Sequence, residues 1–298
     1  SFGKSGAYAL PIADKLNIPL AVTYYGGDAT KTANTKDSFI RVYNRRRTHL
    51  WRKADLILPC SNFIKDELVA RGAPELKMQV HHNTADPDKF FPSEKEKLLV
   101  FAGRWTEKKG IATLIAALAR LREELEGWTV RLIGDGELKP ELTEQLKAAG
   151  VDADLPGWVP ADEMPQHWAK AQIACVPSQR AKSGDAEGLP LVCIEAMLSG
   201  CAIVATRHAG IPECVVDGET GFLVSEGDDG ALADRIGRML TNERRTLAMG
   251  QAGRELALSK FNLQKQSRRL EDHLLAMERR ARTVQPSASG SSPVPSQR

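Results

Sequence analysis

The chain has 298 residues, enough for two domains with cores of their own, and its 42% hydrophobic and 27% charged residues are the balance of an ordinary soluble globular protein. No apolar run approaches a membrane span and no signal peptide is visible, although the chain begins "SFGKSG" without methionine. With 41 basic against 38 acidic residues, the charge of +3 argues against a dedicated polyanion binder, and five cysteines without a CxxC pair fit a reducing cytoplasm.

Short apolar runs alternate with helical patterns along most of the chain. "IPLAVTYYG" (18–26) predicts a strand ending in a Gly-rich loop. The basic run 41–53, with aromatics interleaved, predicts a helix; a solvated face and nucleic-acid binding are both readings of it, the second set against balancing acidic charge elsewhere. "ADLILPCSNFIKDELVARG" (54–72) predicts a strand, Ser61 as N-cap, and a helix closed by Gly72. "MQVHHN" (78–83) predicts a further strand, and the polar, proline-containing 86–97 a linker.

A second series follows. Strands are predicted at 98–104, 129–133, 172–178 and 201–206, with helices at 110–127, 138–150 and 189–200 between them. "DAD" (152–154) before "LPGWVP" predicts a loop, and "IGDGE" (133–137) a strand-to-helix turn that lacks the rest of a dinucleotide fingerprint. Repeated strand–helix units with continuous apolar strands imply parallel sheets covered on both faces. Two such series imply two doubly wound α/β domains facing a cleft: 1–93 with the linker, then 94–260. A helix at 261–284 and a low-complexity, disordered tail at 285–298 complete the expectation.

The segment "GDAEGLPLVCIEA" (184–196) carries Glu187 at a helix entrance and Glu195 within the helix, which is otherwise apolar from Leu189 to Leu198. Pro190 suits the first helical turn and Gly188 gives the loop freedom. A lone buried carboxylate is costly without partners. Either Glu195 caps a backbone N–H and Glu187 merely favours the helix dipole, or both accept hydrogen bonds from a bound polyol at the ends of parallel strands. In "AGRWTEKKG" (102–110), Arg104 and Lys109 share a strand–helix junction suited to a diphosphate, with simple solvation as the alternative. No acidic D-x-D pair stands where it would hold a metal–diphosphate complex. His81 and His82 point to opposite faces of their expected strand and His208 lies in a loop, so a metal site is not expected. Trp105 reads as packing or as a stacking surface, and Glu213 as the cap of its own short helix or a donor contact.

Together these residues resemble the retaining GT-B glycosyltransferases of family 4, in particular bacterial transferases of exopolysaccharide assembly. "EGLPLVCIEA" is similar to the family's E-x7-E motif, "GRWTEKKG" to its basic diphosphate loop, and "SNFIKDELVARG", "PSQRAKSGDAEGLP" and "AIVATRHAGIPECVVDGETGFLV" to its typical text. The resemblance runs from about Phe2 to the final helix and implies two facing Rossmann-like domains. By position, Arg104 and Lys109 would grip the diphosphate, Glu195 the ribose and Glu187 the donor sugar. Backbone at Val159 and Pro160 would meet the base, and backbone at Gly188, Leu189 and Pro190 the phosphates. The last helix would cross back to the N-terminal domain.

The implied reaction transfers a sugar from a nucleotide-diphosphate-sugar to a saccharide acceptor, expected to be lipid-linked, with retention and without metal or other cofactor. Glu187, Arg104 and Lys109 would serve catalysis. Gly3, Tyr25, Gly26 and Asp28 fall on the acceptor side, where Tyr25 replaces a histidine common in the family and Asp28 equally reads as a turn cap. The resemblance implies a cytoplasmic location with peripheral contact at the inner membrane face, no nucleic-acid partner, and an N-terminal domain that lacks its earlier strands and so leaves a sheet edge and apolar faces exposed. A nucleotide-sugar-binding module without turnover is the alternative, and an NAD-dependent oxidoreductase a third.

Overall fold

The apolar runs pair as parallel strands in two separate sheets. The structure is a computed structural model describing residues 3–30 and 38–284; the expected tail, 285–298, lies outside the described residues, as do Ser1 and Phe2.

The N-terminal part runs α1 (Gly3–Leu16), β1 (Ala21–Tyr24), α2 (Gly27–Thr30), α3 (Ser38–Lys53), β2 (Leu56–Pro59) and α4 (Asn62–Ala70). β1 and β2 pair from Ala21 opposite Leu56 to Tyr24 opposite Pro59. Segment 78–83 is not the strand expected. Met78 makes only an isolated bridge to Ile57, and Gln79 and His81 donate to the Ile57 and Pro59 carbonyls. His82 and Asn83 are drawn away to Glu213 and to the Leu189 carbonyl, which ends the pairing. Ser61 caps α4 as expected, accepting from the Ile64 N–H, and Gly72 follows at φ +89°. α3 buries Tyr43, Leu50 and Trp51 and exposes Arg45, Arg46, His49, Arg52 and Lys53, with Arg47 over the Trp51 ring. On α1, Tyr8, Ile12 and Leu16 form an exposed apolar stripe at four-residue spacing.

The C-terminal part runs β3 (Glu96–Ala102), α5 (Ile111–Arg120), β4 (Thr129–Ile133), α6 (Lys139–Ala148), β5 (Asp154–Gly157), α7 (Met164–Lys170), β6 (Ala171–Val176), α8 (Leu191–Leu198), β7 (Ala202–Thr206), β8 (Gly221–Val224), α9 (Asp229–Leu240) and α10 (Glu243–Lys260). Three expectations are corrected. α5 ends at Arg120, because its buried face ends at Leu121 and the polar residues beyond form turns. Residues 154–157 are an edge strand and not a loop; Pro156 and the Asp154–Arg131 pair at 2.7 Å mark the polar edge that the sequence pattern conceals. α8 begins at Leu191, with Pro190 extended at its cap instead of inside its first turn.

Strand order is β5-β4-β3-β6-β7-β8, all parallel. Alternate residues of β3 enter opposite cores: Leu98, Val100 and Ala102 on one face, Leu99 and Phe101 on the other. The first of these cores is continuous with the N-terminal part through residues such as Val22, Tyr24 and Ile57. The chain grows outward from β3 to β5, then returns to the far side of β3 with β6. The loops after β3 and β6 therefore diverge at the sheet's topological switch point, where ligands of such folds sit.

The two parts are joined twice. Ala85, leaving the N-terminal part, pairs with Asn262, where the chain returns: the Ala85 N–H donates to Phe261 O and the Leu263 N–H to Ala85 O, both at 3.3 Å. Beyond this joint α11 (Leu263–Val284) runs back along the N-terminal part. It faces Ile18, Pro19 and Lys77 across a cavity of about 680 Å³.

Candidate functional site

Glycines let the loops at the switch point touch. Gly110 caps α5 at φ +63°, and a Cβ there would lie 1.8 Å from the Pro177 carbonyl oxygen. Gly103 ends β3 beside the Lys109 side chain. The basic loop is stitched to the loop after β6: the Gln179 N–H donates to Lys108 O, and the Lys182 N–H to Glu107 Oε2.

This brings Lys109 and Glu187 together, with Lys109 Nζ 2.8 Å from Glu187 Oε1. Lys108 Nζ lies 3.6 Å from Asp185 Oδ1. Burial pushes the Glu187 carboxyl up, but Lys109 and then Lys108 pull it below the usual carboxylate range. Glu195 differs: burial raises it, with the Trp168 indole and Lys109 offsetting only part. Two carboxylates on one motif are thus driven in opposite directions by their surroundings. Arg104 is exposed and makes no ion pair among the described residues. Val159 and Pro160 are half-buried after β5, beside an exposed Trp158. Trp105 is fully buried, as the packing reading expects.

The N-terminal part closes over the loop before α8. A Cβ on Gly188 would lie 1.9 Å from Tyr25 O and 2.5 Å from Cys60 Sγ, so Gly188 is required by close approach; its φ is not in the left-handed region, and the expected loop freedom is not its use. Gly188 O accepts from Ser61 Oγ at 3.2 Å and from the Gly210 N–H at 2.9 Å. Asn83 Nδ2 donates to Leu189 O at 2.6 Å, and the Ala186 N–H to Thr30 Oγ1 at 3.3 Å. Among the described residues the Gly188 N–H has no partner, which leaves it for an anion, while the Leu189 N–H points at the buried Cys60 thiol. Pro190 has no N–H, so it shapes this loop without being able to donate.

On the acceptor side Asp28 is a turn cap: its Oδ1 accepts from the Tyr25 and Gly26 N–H groups and its Oδ2 from Gly3. Gly3 lies against the Tyr24 ring, and Gly26 against Ala186 and Gly188. The Tyr25 side chain is 41% exposed.

Glu213 does cap a helix, but not its own short one. Its carboxylate reaches across to α4, accepting from the Asn62 and Phe63 N–H groups at 3.0 Å and lying 3.2 Å from His82 Nε2. Ser61 and Pro212 leave their helix starts with different needs: α4 has free N–H groups pointing at the seam, and those attract the carboxylate. Burial raises Glu213, and the bonds from His82, Asn62 and Phe63 bring it below the ordinary range.

His208, weighed in the sequence only for a metal, is buried and serves the motif itself. Its Nε2 accepts the Glu187 N–H at 3.1 Å and its Nδ1 lies 2.6 Å from Glu226 Oε1. Glu226 went unremarked because it is distant in sequence and follows β8, and no local signal joins it to His208.

A doubly covered parallel sheet, a basic loop and a carboxylate-bearing helix entrance at its switch point define an α/β protein of the GT-B glycosyltransferase type. The fold is similar to that of HepE from Anabaena, whose crystal structure is in complex with UDP-glucose: TM-score 0.77 at 22% identity, over 92% of this chain and 77% of that one. Residues 83–256 match the family described as glycosyl transferases group 1, and residues 1–89 match glycosyltransferase family 4. The chain belongs to the group 1 glycosyl transferases. It is 29% identical to the amylovoran biosynthesis glycosyltransferase AmsK of Erwinia amylovora, over 88% of this chain and 65% of that protein. It is 30% identical to the putative colanic acid biosynthesis glycosyltransferase WcaL of Salmonella typhimurium, over 90% and 68%. The chain thus spans about two thirds of the length of these relatives. Among the described residues no helix is long and apolar enough to cross a membrane.

Proposed function

We propose that this chain carries the donor site of a glycosyltransferase that moves a sugar from a nucleotide-diphosphate-sugar to a saccharide acceptor of a cell-surface polysaccharide, with retention and without a metal. The Lys109–Glu187 pair at the switch point carries this reading. On it, Lys109 turns to the diphosphate and, with Arg104, stabilises charge developing on the leaving group. Glu187, released, accepts hydrogen bonds from the sugar hydroxyls, while Glu195 accepts from the ribose. Gly188 offers its N–H group to the phosphates, and the backbone of Val159 and Pro160 frames the base. Residues 1–93 and 94–260 act as the acceptor-side and donor-side domains, with α11 returning to the first. The HepE complex with UDP-glucose and the polysaccharide roles named for AmsK and WcaL support this choice of donor and acceptor. The exposed basic face of α3 supports contact with anionic headgroups at the cytoplasmic membrane surface.

Calorimetry with UDP, GDP and ADP in EDTA tests the reading. One nucleoside diphosphate should bind, and Arg104→Ala and Glu195→Ala should each weaken it by about 1–3 kcal/mol. A folded chain that binds none of them defeats it. Binding without sugar transfer in the presence of acceptor would favour the non-catalytic module instead.

A further inference from the structure

The loop that presents Glu187 is held by a histidine that follows the neighbouring strand, β7. The Glu187 N–H can only donate, so His208 Nε2 accepts it and carries no proton. The proton then sits on Nδ1, where Glu226 Oε1 accepts it at 2.6 Å. Glu226 is itself anchored, its other oxygen accepting the Arg180 N–H at 2.8 Å. The imidazole is 1% exposed, so water does not compete for either bond. A second bond ties the same loops together, from the Gly210 N–H to Gly188 O, across a turn in which Ala209 adopts φ +49°.

We infer that His208, oriented by Glu226, is a positioning residue that fixes the Glu187 backbone and thereby the grip on the donor sugar as distinct from the nucleotide. The inference rests on the donor-site reading above. In the structure Glu187 is held at two points: its carboxylate by Lys109 and its peptide by His208. When a diphosphate draws Lys109 away, the side-chain anchor is lost and the peptide anchor stays. His208 then limits how far the carboxylate can wander from the sugar hydroxyls. The base meets other groups, and the Gly188 peptide that faces the phosphates keeps an anchor of its own in the Gly210 N–H bond to Gly188 O, so the diphosphate depends on His208 less than the sugar does.

Side-chain geometry supplies the test. Gln can place its amide oxygen near the Nε2 position and still accept the Glu187 N–H. Asn reaches only the Nδ1 position and can still donate to Glu226. Affinities of UDP against UDP-glucose, and of GDP against GDP-mannose, are measured by calorimetry for wild type, His208→Ala, His208→Gln, His208→Asn and Glu226→Gln, with melting temperatures alongside. His208→Ala and His208→Asn should weaken the sugar nucleotide at least about five-fold more than the parent diphosphate, and His208→Gln should recover most of that difference. Glu226→Gln should show a smaller loss in the same direction. Equal weakening of both ligands, no weakening of either, or a Gln variant no better than the Asn variant overturns the inference; should the Ala variant not fold, the Gln–Asn comparison decides. A wild type that binds a diphosphate but gains nothing from its sugar overturns the inference and leaves the donor site standing. A wild type that binds no nucleotide overturns both.

Discussion

Lys109 Nζ sits 2.8 Å from Glu187 Oε1, so two residues expected to serve different parts of one ligand are paired with each other. The pair keeps a buried carboxylate charged and poised, and the ligand exchanges one ionic partner for another instead of desolvating two free ions. Lys109→Met should therefore damage more than binding. It leaves Glu187 buried and short of its main cation, so stability at pH 7 should fall by about 1–3 kcal/mol. Glu187 is held below the usual range, so its contribution is present above the unfolded carboxylate pKa, about 4.3, and is lost as pH falls through the folded value. Melting curves should differ most near pH 7 and draw together as pH is taken below about 4; curves that stay parallel throughout would count against the pairing.

Glu195 predicts the opposite sign. Burial raises its folded pKa, so its contribution to stability is full below the unfolded pKa and is lost as pH rises through the folded value. Glu195→Gln should make the protein at least as stable as wild type near pH 8 while nucleotide affinity drops by about 1–2 kcal/mol. Melting and calorimetry at the same pH separate the two effects. A destabilised Gln variant at pH 8 would show that the carboxylate has a structural partner.

Gly188 and Gly72 should part company on substitution. Gly188→Ala drives a Cβ into the Tyr25 carbonyl oxygen and should cost about 1–3 kcal/mol, with loss of nucleotide affinity as the seam opens. Gly72→Ala meets nothing within 4 Å and bears only the left-handed backbone strain of about 1–2 kcal/mol, leaving affinity unchanged. Urea melts and one binding isotherm for each variant check both halves.

Glu213→Gln should loosen the seam selectively. The amide keeps one acceptor for the N–H groups of α4 but loses the charge facing the helix start and His82, a change of about 1–2 kcal/mol. The wild-type carboxyl is held low, so this stabilisation is present above the unfolded pKa and fades as pH falls through the folded value. Limited proteolysis within residues 86–95 at pH 7 should be faster in the variant; equal rates would refute a role in holding the two parts together.

Much of the central sheet was legible because its strands are buried on both sides and read as unbroken apolar runs, as in "LLVFA" and "AIVAT". Ser61 as N-cap and Gly110 at a helix start were legible for the same kind of reason, since each effect is local. The edge strand 154–157 was not, because an edge tolerates the proline and aspartate that signal a loop elsewhere. Lys109 and Glu187 could be placed at neighbouring strand ends by topology, yet their direct pairing depends on the glycine contacts that bring the loops together. The targets of Glu213 and His208 were not legible because their partners, the start of α4 and the peptide of Glu187, are far away in sequence. A side chain says what it can bond; only the fold says to whom.

The paired crossings at Ala85 and Asn262 bear on how the molecule can move. Two independent tethers would let one half slide, twist or tilt on the other. Stitched side by side, they behave as a single pivot, and tilting about it is the mode that leaves both hydrogen bonds whole. His82 packs edge-on against Phe261 beside that pivot while bonding Glu213, so the Glu213 contact has a short lever arm. A ligand bridging the loops farther out would have the mechanical advantage, and a modest binding energy there could set the angle between the halves.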